Sequence, residues 1–152
     1  MILLLALSAL PVSTPAQVGT IQARVVAAED RVNRPSNESS YERVRVEFTN
    51  NGSVATSLRV CARDARFDFA RGPVRADTSW HVDAHAFAAS VGSEPSWRFG
   101  CRALSLAPGA PQRVTYYLRT DSHYGDSRRM VVTTDAGAFI FLPAPRRFAY
   151  GG

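Results

Sequence analysis

Between Tyr41 and Cys61 the chain reads YERVRVEFTNNGSVATSLRVC, two alternating segments around Asn50-Asn51-Gly52. Along the first segment Val44, Val46 and Phe48 point one way, and Arg43, Arg45, Glu47 and Thr49 the other. A period of two marks a strand with one buried and one wet face. Val54, Thr56, Leu58 and Val60 resume the alternation after the turn. Asn and Gly tolerate the positive φ of a tight hairpin, so two strands paired directly across the Asn-Asn-Gly turn are expected. Such a unit builds antiparallel sheets.

The same pattern recurs. Thr20–Ala27 is expected as a first strand, and Arg66–Ala70 and Ser79–Asp83 as short β pieces. The alanine-rich Ala84–Ser90 is compatible with a short helix. Leu104 and Leu106 alternate, Arg113–Thr120 places Val114, Tyr116 and Leu118 inward, and Met130–Thr134 with Ala138–Leu142 frames a second hairpin around Asp135-Ala136-Gly137. About seven to nine short strands with regular turns predict an all-β fold, an immunoglobulin-like antiparallel β-sandwich. At 152 residues the chain fits one domain with a full core.

The amino terminus has the pattern of an export signal. Ile2–Leu10 is apolar and too short to span a bilayer, and Pro11 with small residues up to Ala16 supplies a cleavage region. Residues 1–16 are therefore expected as a signal peptide and 17–152 as a single periplasmic or extracellular domain. Only Met1 precedes the apolar run, so either the α-amino group supplies the positive charge or the start lies upstream. No later run is long and apolar enough for a transmembrane segment. In an oxidising compartment Cys61 and Cys101 are expected to form a disulfide, worth about 4 kcal/mol in the chain-entropy model.

The formal charge is +5, and every one of the eighteen basic residues is Arg. Without Lys there is no P-loop, Schiff-base or Ser-Lys chemistry. The Arg residues are scattered singly apart from Arg128-Arg129 and Arg146-Arg147, which argues against nucleic acid as the partner.

Three groups of side chains are candidates for function. Trp80 and Trp97, with Arg75 and Arg98 nearby, would give aromatic anchors and charge-assisted hydrogen bonds on sandwich loops; the same indoles would also fit a core. His81, Asp83 and His85 would share one face of a regular strand, and His123 would approach from a loop, as a zinc site requires. Asp64 with Asp68, or Asp121 with Asp126, lack the spacing of a calcium loop. No cofactor is expected.

From Val44 to Leu118 the layout of strand, N-x-G, strand, then L-x-P-G and strand resembles bacterial immunoglobulin-like domains. Within that group VEFTNNGSVATSLRV, RFDF at Arg66–Phe69, the Trp80 segment and LSLAPGAPQRVTYYL are similar to the intracellular proteinase inhibitor (BsuPI-like) family. The resemblance implies an immunoglobulin-like sandwich and, as one alternative, proteinase inhibition. The principal expectation is an exported, non-catalytic module that binds a protein or cell-envelope polymer; a metal-dependent hydrolase is the further alternative.

Overall fold

The computed structural model describes residues 15–29, 41–92, 97–119 and 127–142. Ten strands follow one another: β1 (Ala16–Val18), β2 (Ile21–Glu29), β3 (Tyr41–Asn50), β4 (Thr56–Cys61), β5 (Ala65–Ala70), β6 (Trp80–Val91), β7 (Cys101–Leu106), β8 (Gln112–Arg119), β9 (Arg128–Thr134) and β10 (Gly137–Phe141). A single 3-10 turn, Ala62–Asp64, joins β4 to β5, and no α-helix occurs among the described residues. Eight strands form one antiparallel sheet in the order β1-β2-β3-β8-β6-β5-β9-β10, while β4 and β7 form a separate ribbon. The outermost strands β1 and β10 touch, so the large sheet bends back on itself. The fold is all-β and antiparallel, as expected. It has more strands than expected, partly because β1 precedes Gly19. A cut after Ala16 would leave Gln17 and Val18 paired with Gln22 and Ile21. Residues 1–14 of the expected signal segment lie outside the described residues. None of the described helices is long and apolar enough to cross a membrane.

One core fills the space between the curved sheet and the ribbon. Val44, Val46 and Phe48 enter it from β3, Leu58 and Val60 from β4, Leu104 and Leu106 from β7, and Tyr116 and Leu118 from β8. Phe48 meets Phe139 edge to face at 5.5 Å. The inward positions are those the alternation selects, and the second hairpin, β9–β10, pairs as expected.

The first expected hairpin does not exist. β3 pairs with β2 and β8, and β4 pairs with β7, so residues 51–55 carry the chain from one layer to the other. Asn50 is fully buried at this crossing. Its Nδ2 donates to the carbonyls of Val54 (2.8 Å) and Leu106 (3.2 Å), and its Oδ1 accepts the Gly52 N–H (2.9 Å). The Asn51 N–H donates to the Thr20 carbonyl at 2.8 Å. None of Asn50, Asn51 and Gly52 has positive φ. Gly52 is required for room instead: a β-carbon there would lie 3.0 Å from Asn50 Oδ1 and 3.2 Å from Thr20.

Residues 84–90 are strand rather than helix. β6 lies between β5 and β8 and pairs with both, and this pairing overrides the helical preference of alanine. Ala84, Ala86, Ala88 and Ala89 are buried. Cys61 and Cys101 stand opposite each other at the end of the β4–β7 ribbon and form the expected disulfide.

Candidate binding surface

Pairing register decides which side chains share the outer face of β6, β5, β9 and β10. Ala65 and Phe67 of β5 point into the core, so Arg66, Asp68 and Ala70 point out. Opposite them on β6 stand His85, Val82 and Trp80. On β9, Val131 and Arg129 face Arg66 and Asp68, and Ile140 of β10 faces Val131. Leu142 follows one step beyond the Phe141–Met130 pair. The face thus gathers Val82 (53% exposed), Ile140 (45%) and Leu142 (41%) with the half-buried Trp80. Single exposed apolar residues are ordinary on a protein surface; several on one face are not.

At its centre lies an ion cluster. Arg66 Nε donates to Asp68 Oδ1 at 2.8 Å, and Arg129 Nε donates to Asp68 Oδ2 at 3.0 Å. The Asp68 carboxylate is buried, so both hydrogen bonds are charge-assisted and partly shielded from water. Arg129 extends from this anchor across Trp80, its Cζ 4.3 Å from the ring centroid, within cation–π range. Adjacent Arg128 points the other way, over Phe67 at 4.0 Å and toward buried Glu42 at 3.2 Å.

Residues 71–79 connect β5 to β6 around an open cleft of about 340 Å³. Its wall includes Arg71, Arg75, Asp77, Ser79 and His81. The loop is held by Ser127, whose carbonyl accepts the Ala70 N–H at 2.8 Å and whose hydroxyl donates to the Gly72 carbonyl at 2.9 Å. The Arg75 N–H donates to Thr78 Oγ1 at 2.6 Å, closing a tight turn.

The four expected binding residues divide into two pairs. Trp80 and Arg75 belong to this face and cleft. Trp97 packs against the core and exchanges backbone hydrogen bonds with Ala89 at 2.7 and 3.1 Å. Its Nε1 is buried with no partner among the described residues. The Trp97 bridge at Ala89 is nine residues along β6 from Trp80, about 30 Å of strand, so the two indoles do not form one platform. Exposed Arg98 lies at the Trp97 end.

His81, Asp83 and His85 do not converge. Asp83 is an extra residue in β6: Ala84 faces Phe67 and Val82 faces Asp68, leaving Asp83 between them unmatched. The bulge shifts the alternation, so His81 aligns with Phe69 and His85 with Arg66, on opposite faces. His81 stacks at 5.4 Å on the Phe69 ring, and His85 Nδ1 lies 3.3 Å from the Arg63 carbonyl. No group of three or more His, Cys, Asp or Glu able to hold a metal ion occurs among the described residues. His123, Asp121 and Asp126 lie outside them, and Asp68 is occupied by its two arginines.

Sequence reasoning missed Asp68, Arg66 and Arg129 as a unit, and missed Val82, Ile140 and Leu142. One signal was available: Phe139-Ile140-Phe141-Leu142 is apolar without interruption, as expected where both faces of a strand carry apolar groups. Phe99 is exposed, with φ at 55° and the Arg63 guanidinium 5.3 Å from its ring.

No family model matches this chain, and no curated protein matches it. Among solved structures, one titled "apo PmoF2 PCuAC domain" aligns with 88% of this chain and 95% of its own, at 11% identity and a TM-score of 0.41. A likeness of that size carries no argument about activity.

Proposed function

We propose that this chain is an exported, non-catalytic binding module, and that the outer face of β6, β5, β9 and β10 is its working surface for a protein or cell-envelope polymer. The observation that carries this reading is Arg129, fixed by the buried Asp68 carboxylate and laid across Trp80 amid exposed Val82, Ile140 and Leu142. Trp and Arg are the side chains that most often dominate binding energy when they are held rigid and ringed by apolar contact. A guanidinium already oriented by its counter-ion loses little further freedom on binding. The apolar amino terminus and the Cys61–Cys101 disulfide support the exported part of the reading.

The test compares two faces of the same sheet. Labelled protein, residues 17–152, is sedimented with envelope from the producing cell, before and after protein extraction. Val82→Asp, with Ile140→Asp as a second variant, is expected to lower retention roughly tenfold or more, the effect of losing one central contact. Gln22→Asp, on the outer face of β2, is expected to behave as wild type. Equal retention of folded Val82→Asp, Ile140→Asp and Gln22→Asp would overturn the proposal, and survival of binding after extraction would select a polymer over a protein.

A further inference from the structure

Between Trp97 and Cys101 the chain carries a strained, exposed aromatic. We infer that Phe99, with the guanidiniums of Arg63 and Arg98, is a second contact point that docks into an apolar, carboxylate-rimmed pocket on a partner protein. Phe99 has φ at 55°, the one positive φ outside glycine among the described residues, and is 58% exposed. A bulky side chain in the left-handed region strains the backbone, and a ring this exposed gains little burial to offset the strain. Such a conformation persists only where its surroundings impose it. Here both ends of a two-residue span are fixed. Before it, Trp97 packs against the core and exchanges backbone hydrogen bonds with Ala89 at 2.7 and 3.1 Å. After it, the Gly100 carbonyl accepts the Ala62 N–H at 3.0 Å, and Cys101 is bridged to Cys61. Arg98 and Phe99, both exposed, lie between these anchors.

The charges around the ring point to the kind of partner. Arg63, in the 3-10 turn, holds its guanidinium 5.3 Å from the Phe99 ring centre, within cation–π range. Arg63 and Arg98 are exposed and form no ion pair with any described residue. Two such cations beside a fixed phenyl ring fit carboxylates at the rim of an apolar pocket, through charge-assisted hydrogen bonds. A ring held in place before contact loses little freedom on binding, as the side chains that dominate protein interfaces do. A bilayer fits less well. Fluid lipid shapes itself around an inserted ring and has no use for a fixed one, and each cation near an anionic surface adds only about fivefold in affinity. Trp97 meets β6 at Ala89, nine residues from Trp80, so this contact shares no residue with the face proposed above and goes beyond it.

The experiment replaces Phe99 with the photoreactive p-benzoylphenylalanine in residues 17–152 and irradiates the labelled protein with envelope and soluble fractions of the producing cell. A discrete protein adduct is expected, and unlabelled wild type should suppress it. Unlabelled Phe99→Asn, and separately Arg63→Ser with Arg98→Ser, should each compete at least roughly tenfold less well, as for a lost anchor or charged hydrogen bond. If the photoreactive variant does not fold, the same group in place of Arg98 serves with the same competitors. Asparagine tolerates the left-handed region, so Phe99→Asn should unfold in urea at a midpoint no lower than wild type, and its weaker competition then reads the missing ring. A lower midpoint would make the ring structural and overturn the inference. Competition by either variant equal to wild type, an adduct with lipid alone, or no adduct at all would also overturn it. Val82→Asp in the sedimentation test reads the other face, so the two proposals fail separately.

Discussion

Asn50 is where the structure departs most from a hairpin, and replacing it measures that difference. In the crossover arrangement its amide makes three hydrogen bonds inside the protein, two donated and one accepted. At about 1 kcal/mol net for each, Asn50→Ala should lower unfolding free energy by roughly 3 kcal/mol. Asn50→Asp has nearly the same shape but, when ionised, only accepts; it keeps the Gly52 N–H and sets a charge against the Val54 and Leu106 carbonyls. It should therefore cost more than Asn50→Ala at pH 7, roughly 4 kcal/mol or above, because an unpaired charge is buried with it. Protonation restores a donor, so folding would raise the new carboxyl's pKa above the usual 3.9 or so, and the gap between the two variants should narrow as pH falls toward 4. Neighbouring Asn51 is exposed and uses only its backbone N–H, so Asn51→Ala should stay within about 0.5 kcal/mol of wild type. Urea unfolding followed by circular dichroism gives all four free energies. A hairpin would make Asn51 and Gly52 the sensitive positions. Asn50→Ala within about 1 kcal/mol of wild type, or Asn51→Ala costing as much as Asn50→Ala, would refute the crossover account.

Other perturbations test separate parts of the fold. The Tyr116 hydroxyl is buried without a partner among the described residues, and burial, then the Asp64 charge, raises its pKa above the usual 10. Tyr116→Phe should therefore be more stable by about 1 kcal/mol at pH 7. Because the folded pKa is the higher one, wild type keeps this group's full contribution below pH ~10 and loses it above, by about 1.4 kcal/mol per pH unit, so the variant's advantage should widen on going from pH 9 to 11 in urea unfolding. Reduction, or Cys61→Ser with Cys101→Ser, opens a bridge between residues 40 apart in sequence and should cost about 4 kcal/mol in the same assay. Gly137 has φ at +140°, and a β-carbon there would stand 3.0 Å from Val18 Cγ1. Gly137→Ala should lower stability by roughly 1–3 kcal/mol, visible as a lower melting temperature.

Period-two alternation reports which side of a strand is buried and nothing about which strand lies beside it. Val44, Val46, Phe48, Leu58 and Val60 were therefore legible as inward residues, while the partners of β3 and β4 were not. The Asn-Asn-Gly segment fits a hairpin by composition, yet what it does depends on Leu106, more than fifty residues away. For β6 the limit was different: alanine favours helix locally, and only pairing with β5 and β8 makes the strand. Bulges hid the remaining information. One extra residue at Asp83 separates His81 from His85, and no local pattern announces where a strand will bulge. The proposed binding face was invisible for a related reason, since Asp68, Trp80, Arg129 and Ile140 meet only through four strands brought together by long-range pairing.

The large sheet carries the same ionic motif twice, and the contrast sets the proposed binding face apart. Glu47 accepts from Arg24 at 2.9 Å and Arg113 at 3.1 Å, much as Asp68 accepts from Arg66 and Arg129. Around Glu47 the arginine side chains are 56% and 60% exposed, so that trio is a solvated ladder of modest stabilising effect. Around Asp68 they are 27% and 21% exposed. Water has been largely removed from these guanidiniums although the chain could have left them as wet as Arg24. Part of the covering is Trp80, which lies beneath Arg129. A charge cluster held that dry within an apolar rim adds less to folding than its hydrogen bonds suggest, because desolvation offsets them. Its more distinctive consequence is geometric: it fixes a guanidinium and an indole, face to face, at the surface a partner would meet.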